Sequence, residues 1–161
     1  LRADTADRRP RCSRPHPANG TQRQLERHLD PAPDGVADRE RVVVRDRETL
    51  AKLADAHPHG KMLSGAAAAI AVCGDTTISP DFWVQDCSAA VENMLLAAHA
   101  LGLGAVWAGI YPLKDRIAAL KNRLALPEEI TPQALVVMGY PNEVPADPQR
   151  FREDRIHYNG W

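Results

Sequence analysis

The chain predicts an α+β fold in which helices pack on a small sheet. Three observations carry this reading. From residue 41 onward, short β-branched or apolar runs alternate with segments of helical period. The last apolar run, Ala134 to Met138, feeds a long arm instead of another helix. Between Ser79 and Leu101, apolar residues recur every three or four positions, as in a helix lying on a sheet.

Arg41-Val42-Val43-Val44 reads as a short strand. Asp46 suits the N-cap of a helix from Arg47 to Ala56, with Leu50 and Leu53 inward. His57-Pro58-His59-Gly60 ends that helix, and Lys61 to Ser64 adds a brief turn. Ala66 to Cys73 is a small, continuous apolar run, best read as a buried strand, although its alanines leave a helix open. In the next helix Ser79 is the expected N-cap, with Pro80 first in the helix and Asp81 at the positive end of the dipole. Its inward set is Val84, Cys87, Ser88, Val91, Met94, Leu95, Ala98 and Leu101. Gly102 falls where a left-handed C-cap belongs, with Leu103 closing the hydrophobic contact. Gly104 to Ala108 is the following strand, and Leu113 to Leu124 a helix with Ile117, Leu120 and Leu124 inward. Pro127 and Pro132 bracket a turn before the strand Ala134–Met138, which Gly139-Tyr140-Pro141 stops.

The 161 residues carry a net charge of −1, so no global field argues for nucleic acid or membrane as a partner. No run approaches the roughly 18–20 apolar residues of a membrane span. Cys12, Cys73 and Cys87 are odd in number and scattered, which argues against a disulfide framework or a zinc site and fits a reducing cytoplasm. Residues 1–40 differ from the rest. They hold ten apolar residues, no Phe, Trp or Tyr, five prolines and eight arginines. That composition offsets little ordering entropy. It predicts a disordered basic arm or a segment read in a shifted frame, followed by one domain over residues 41–161.

No phosphate-cradling glycine loop, HExxH pair or GxSxG elbow occurs. His57 and His59 read as an exposed pair in a turn rather than metal ligands. His99 lies late in its helix, where a cation suits the dipole. Asp86 and Glu92 are not a catalytic dyad, and Cys87 is a small core residue. No side chain is thus assigned a catalytic or metal-binding role. That absence suits an enzyme whose bound cofactor supplies the chemistry.

Five segments resemble the FMN-dependent nitroreductase family in order and spacing: VVVRDRETLAKLADAH, AIAVCGD, FWVQDCSAAVENMLLAAHALGLGAVWAGIYP, LPEEITPQALVVMGYP and RFREDRIHYNGW. The resemblance covers residues 41–161. It implies a nitroreductase-like fold: a small mixed sheet packed by helices, and a C-terminal arm exchanged in a homodimer, with FMN at the interface. By position, the backbone of Trp107, Ala108 and Gly109 runs along the flavin, its N–H groups facing N5 and O4. Arg150 matches a basic position at the FMN phosphate, and Arg152 is a weaker candidate for that role. The implied activity is NAD(P)H-dependent reduction of nitroaromatics, quinones or similar small acceptors. Flavin-consuming and reductive dehalogenating activities occur within the same family. The family's arginine-rich and PSxxNxQPW-like opening segments have only a partial echo in Arg8-Arg9-Pro10-Arg11-Cys12-Ser13-Arg14, which predicts weak, exchangeable FMN binding. A reading from another class is a non-catalytic dimeric remnant of the fold that binds flavin weakly or not at all.

Overall fold

The computed structural model describes residues 39–143, 146 and 148–161. The expectation for residues 1–40 therefore lies almost wholly outside the described residues. The elements run β1 (Arg39–Val44), α1 (Arg47–Asp55), a 3₁₀ turn (Gly60–Gly65), β2 (Ala68–Asp75), α2 (Trp83–Ala100), β3 (Gly104–Gly109), α3 (Lys114–Leu124), β4 (Ile130–Gly139) and a short 3₁₀ turn in the arm (Glu153–Arg155).

The strands form one sheet in the order β1-β2-β4-β3. The α+β architecture is the one the sequence implies. The sheet, expected to be mixed, is antiparallel at all three described interfaces. The reason is the place of the last strand. β4 inserts between β2 and β3, so those two strands run parallel to each other without pairing.

Strand alternation sorts the core onto two faces. Ile70, Val72, Ala134, Val136 and Met138 pack with Trp83, Cys87, Val91 and Met94 of α2. On the other face, Ala69, Ala71, Cys73, Leu135 and Val137 pack with Leu50 and Leu53 of α1, Leu63 of the 3₁₀ turn and Leu120 of α3. Each fully buried leucine contributes about 1.5–3 kcal/mol relative to exposure. The run of alanines in β2 keeps that strand slim between the two helical layers.

The caps show which local signals the chain obeys. Asp46 Oδ2 accepts from the Thr49 N–H and hydroxyl, each at 2.7 Å, and opens α1 as expected. At the end of α2, Gly102 adopts φ +74°. Its N–H donates to His99 O and the Leu103 N–H to Ala98 O, each at 2.9 Å, a complete Schellman closure.

Ser79 is not the N-cap of α2. Asp75 captures the chain first, its Oδ1 accepting from the Thr77 N–H at 2.8 Å and hydroxyl at 2.6 Å. The backbone then turns until Phe82, which occupies the N-cap position without a side-chain bond. Ser79 contributes its carbonyl, which accepts from Trp83 N–H at 3.1 Å. The inward face of α2 accordingly includes Trp83 and Ala90, and Leu101 is exposed. Pro132 also departs from expectation. It lies inside β4, at a register shift where Val72 faces Ala134 and Cys73 faces Pro132. The bulge leaves Gln133 without a β2 partner and tolerates the missing proline donor.

Candidate functional site

β3 ends at an edge of the sheet, and the residues singled out there occupy three different environments. Trp107 is half-buried against the α2 cluster. Ala108 points to the opposite face and is buried. Gly109 is partly exposed, and a Cβ placed on it would find nothing within 4 Å among the described residues. The chain then turns against the β4 bulge: the N–H groups of Ile110 and Tyr111 both donate to Gln133 O at 3.1 Å. Gln133 is itself buried, and its Nε2 donates to Ser88 Oγ on α2 at 3.1 Å. The Ser88 hydroxyl in turn donates to Val84 O at 2.7 Å. Gln133 Oε1 is buried without a partner among the described residues. Tyr111 meets Trp83 edge-on, with centroids 4.8 Å apart.

Behind Gly109 sits a pair that the sequence did not announce. His57 Nε2 lies 3.1 Å from Gly109 O, and Arg116 Nη1 from α3 donates to the same oxygen at 2.8 Å. His57 is therefore buried, not the exposed turn residue expected; His59 alone keeps that description. Burial first, then the Arg116 charge, push the His57 pKa below its ordinary value, and the Gly109 carbonyl opposes them only in part. No periodicity marks His57, because His-Pro-His reads as a turn and its neighbour Arg116 on α3 lies 59 residues further along the chain. Among the described residues no cluster of three or more His, Cys, Asp or Glu is placed to hold a metal.

The expected phosphate residues lie elsewhere. Every residue from Pro148 to Trp161 is exposed, including Arg150 and Arg152. Within its own chain the arm does not bring either arginine into the core beside β3. The Arg152 fork is already engaged: Nε donates to Asp154 Oδ1 at 2.8 Å and Nη2 to Oδ2 at 2.7 Å. That pairing holds the Asp154 carboxyl below the usual range. The thiols of Cys73 and Cys87 are both buried, and burial pushes the Cys73 pKa up to about 12, far from a reactive thiolate.

A model of the Nitroreductase family matches residues 22–140. The match starts inside the segment that the residues alone left outside the resemblance, and it stops before the arm. A relative from Methanothermobacter thermautotrophicus, provisionally named an NADH dehydrogenase/NAD(P)H nitroreductase, is 48% identical over 122 residues, which is 74% of this chain and 64% of that protein. The chain thus spans less than two thirds of that relative's length. A solved structure of the same provisional name from Parabacteroides distasonis shares 39% identity at a TM-score of 0.82, covering 92% of this chain and 89% of that one. A provisionally named nitroreductase from Desulfovibrio desulfuricans, solved in complex with FMN, shares 28% identity at a TM-score of 0.70, over 89% and 86% of the two chains. With the family model covering well over half of its residues and the fold matching across nearly all of it, the chain belongs to the nitroreductase family.

Proposed function

We propose that this chain is an FMN-dependent NAD(P)H oxidoreductase that acts as a homodimer and reduces nitroaromatics, quinones or similar small acceptors. The observation that carries the proposal is the open end of β3. Gly109 leaves free space over a partly exposed backbone, in a chain whose relative from Desulfovibrio desulfuricans was solved with FMN. A flat ring needs that close backbone approach, and a Cβ would fill it.

The residues present fit the cofactor on this side. The backbone of Trp107, Ala108 and Gly109 would run along the flavin. Donors there stabilise negative charge on the reduced ring. Arg150 would meet the phosphate, since an arginine fork matches phosphate geometry. Arg152 is the weaker candidate because its fork is committed to Asp154. When bound, FMN would supply the two-electron redox chemistry between NAD(P)H and the acceptor. The chain's own residues bind, orient and exclude water.

Dimerisation supplies what one chain lacks. The arm projects Phe151, Tyr158 and Trp161 into solvent and cannot bury them on its own core. A second copy would cover them and bring Arg150 to the partner's β3. The test is a titration of the full chain with FMN, followed by NADH or NADPH under anaerobic conditions. Saturable binding and bleaching of the bound flavin support the proposal. Absence of FMN binding would instead support a non-catalytic remnant.

A further inference from the structure

The peptide group that follows Gly109 is held at both ends. Its N–H, on Ile110, donates to Gln133 O on β4. A trans peptide carries its N–H and C=O on opposite sides, and the cis bond in this stretch lies beyond, at Tyr111-Pro112. The Gly109 carbonyl therefore points away from β4. β3 is the last strand of the described sheet, so no neighbouring strand receives that carbonyl there. Arg116 and His57 do, at 2.8 and 3.1 Å.

The tautomer of His57 follows from its other nitrogen. His59 N–H donates to Nδ1 at 3.2 Å. A neutral imidazole that accepts at Nδ1 carries its proton on Nε2. Nε2–H is then the donor to Gly109 O. The 3.2 Å approach of Arg116 Nη1 to Nε2 is two donors converging on one oxygen, not a bond between them.

This arrangement answers a problem specific to glycine. Gly109 has the widest backbone freedom of any residue type and no side chain to pack. Among the described residues nothing stands within 4 Å of where its Cβ would be. The orientation of its peptide groups must be imposed from outside.

We propose that His57 and Arg116 are positioning residues for the cofactor strand. By gripping the Gly109 carbonyl from α3 and from the turn after α1, they fix the peptide planes around Gly109. They thereby set how the Trp107–Gly109 backbone is presented to FMN. The inference rests on the FMN reading above and extends it to two side chains on the far side of the strand.

The test compares Arg116→Met, Arg116→Lys, His57→Phe and His57→Gln with the parent, all as the full chain. Each is unfolded thermally without ligand, then titrated with free FMN while flavin fluorescence and the visible band of the bound flavin are followed. Arg116→Met removes a charge-assisted bond, so folded Arg116→Met should bind FMN about tenfold more weakly or worse, with a shifted band. Arg116→Lys retains a cationic donor and should recover most of the affinity. His57→Phe should weaken binding more than His57→Gln, whose amide still donates. If Arg116→Met does not fold, the two His57 variants decide. Folded Met and Phe variants that match the parent in affinity and spectrum overturn the inference, even if their melting temperatures fall. A parent that takes up no FMN removes the cofactor reading and this inference with it; equal binding by parent and variants removes the inference alone.

Discussion

Position 109 is defined by what is missing from it. The left-handed backbone that would demand glycine is recorded at Gly102 and not at Gly109. Valine is also a good strand former. Gly109→Val should therefore fold with a melting temperature close to the parent's and yet lose FMN, because its side chain would enter the space proposed for the ring. Arg152→Ala should affect FMN far less, its fork being spent on Asp154. Equal flavin retention by Gly109→Val and the parent contradicts the site. His57 gives a second residue-level test. Its pKa is held below the ordinary value of about 6.5. In the window below about pH 6.5, the unfolded chain takes a proton at this position while the folded chain does not. The stability His57 provides is therefore complete above that pH and is lost as pH falls through the depressed folded value. Denaturant unfolding from pH 7.5 to about pH 5 should show this decline, and His57→Gln should flatten it; superimposable profiles would rule it out.

Among the elements, α2 shows where local signals rule and where they yield. Its C-terminus was legible because a Schellman closure needs little more than a glycine at the right place. Gly102→Ala, forced to φ +74°, should cost about 1 kcal/mol, measured by denaturant unfolding. Its N-terminus was not legible. Ser79-Pro80-Asp81 has the residues of a cap, but Asp75 closes its own turn first and delays the helix to Trp83. Trp83 then lies over Gly74, where a Cβ would come within 2.6 Å of the indole Cε3. Gly74→Ala should destabilise by about 1–3 kcal/mol through overpacking, and an unchanged unfolding midpoint would contradict that contact. The β4 bulge was equally hidden. Pro132 reads as a turn residue, and only pairing with β2 shows that a strand passes through it.

At the scale of the molecule, the alternation of strand and helix patterns was enough for the α+β class. The strand order was not, because inserting β4 between β2 and β3 is a long-range choice that no local window records. The site divides in the same way. Trp107, Ala108 and Gly109 are proposed for it only through the family resemblance, whereas His57 and Arg116 meet at Gly109 only after folding. The arm is partly shaped by its own contacts, the Arg152–Asp154 fork and the stacked rings of His157 and Trp161, 4.4 Å apart. Its exposed aromatic residues predict a dimer. Light scattering at micromolar concentration should give twice the chain mass, and deleting residues 147–161 should yield monomer or aggregate. A monomeric parent would contradict the dimer.

The most direct measurement is FMN titration of the complete chain by flavin fluorescence, followed by anaerobic addition of NADH or NADPH. The expected result is saturation near one FMN per subunit, weak enough to exchange, and bleaching of the bound flavin when the nicotinamide is added. A flavin signal that never saturates, or a bound flavin that neither nicotinamide reduces, would contradict it.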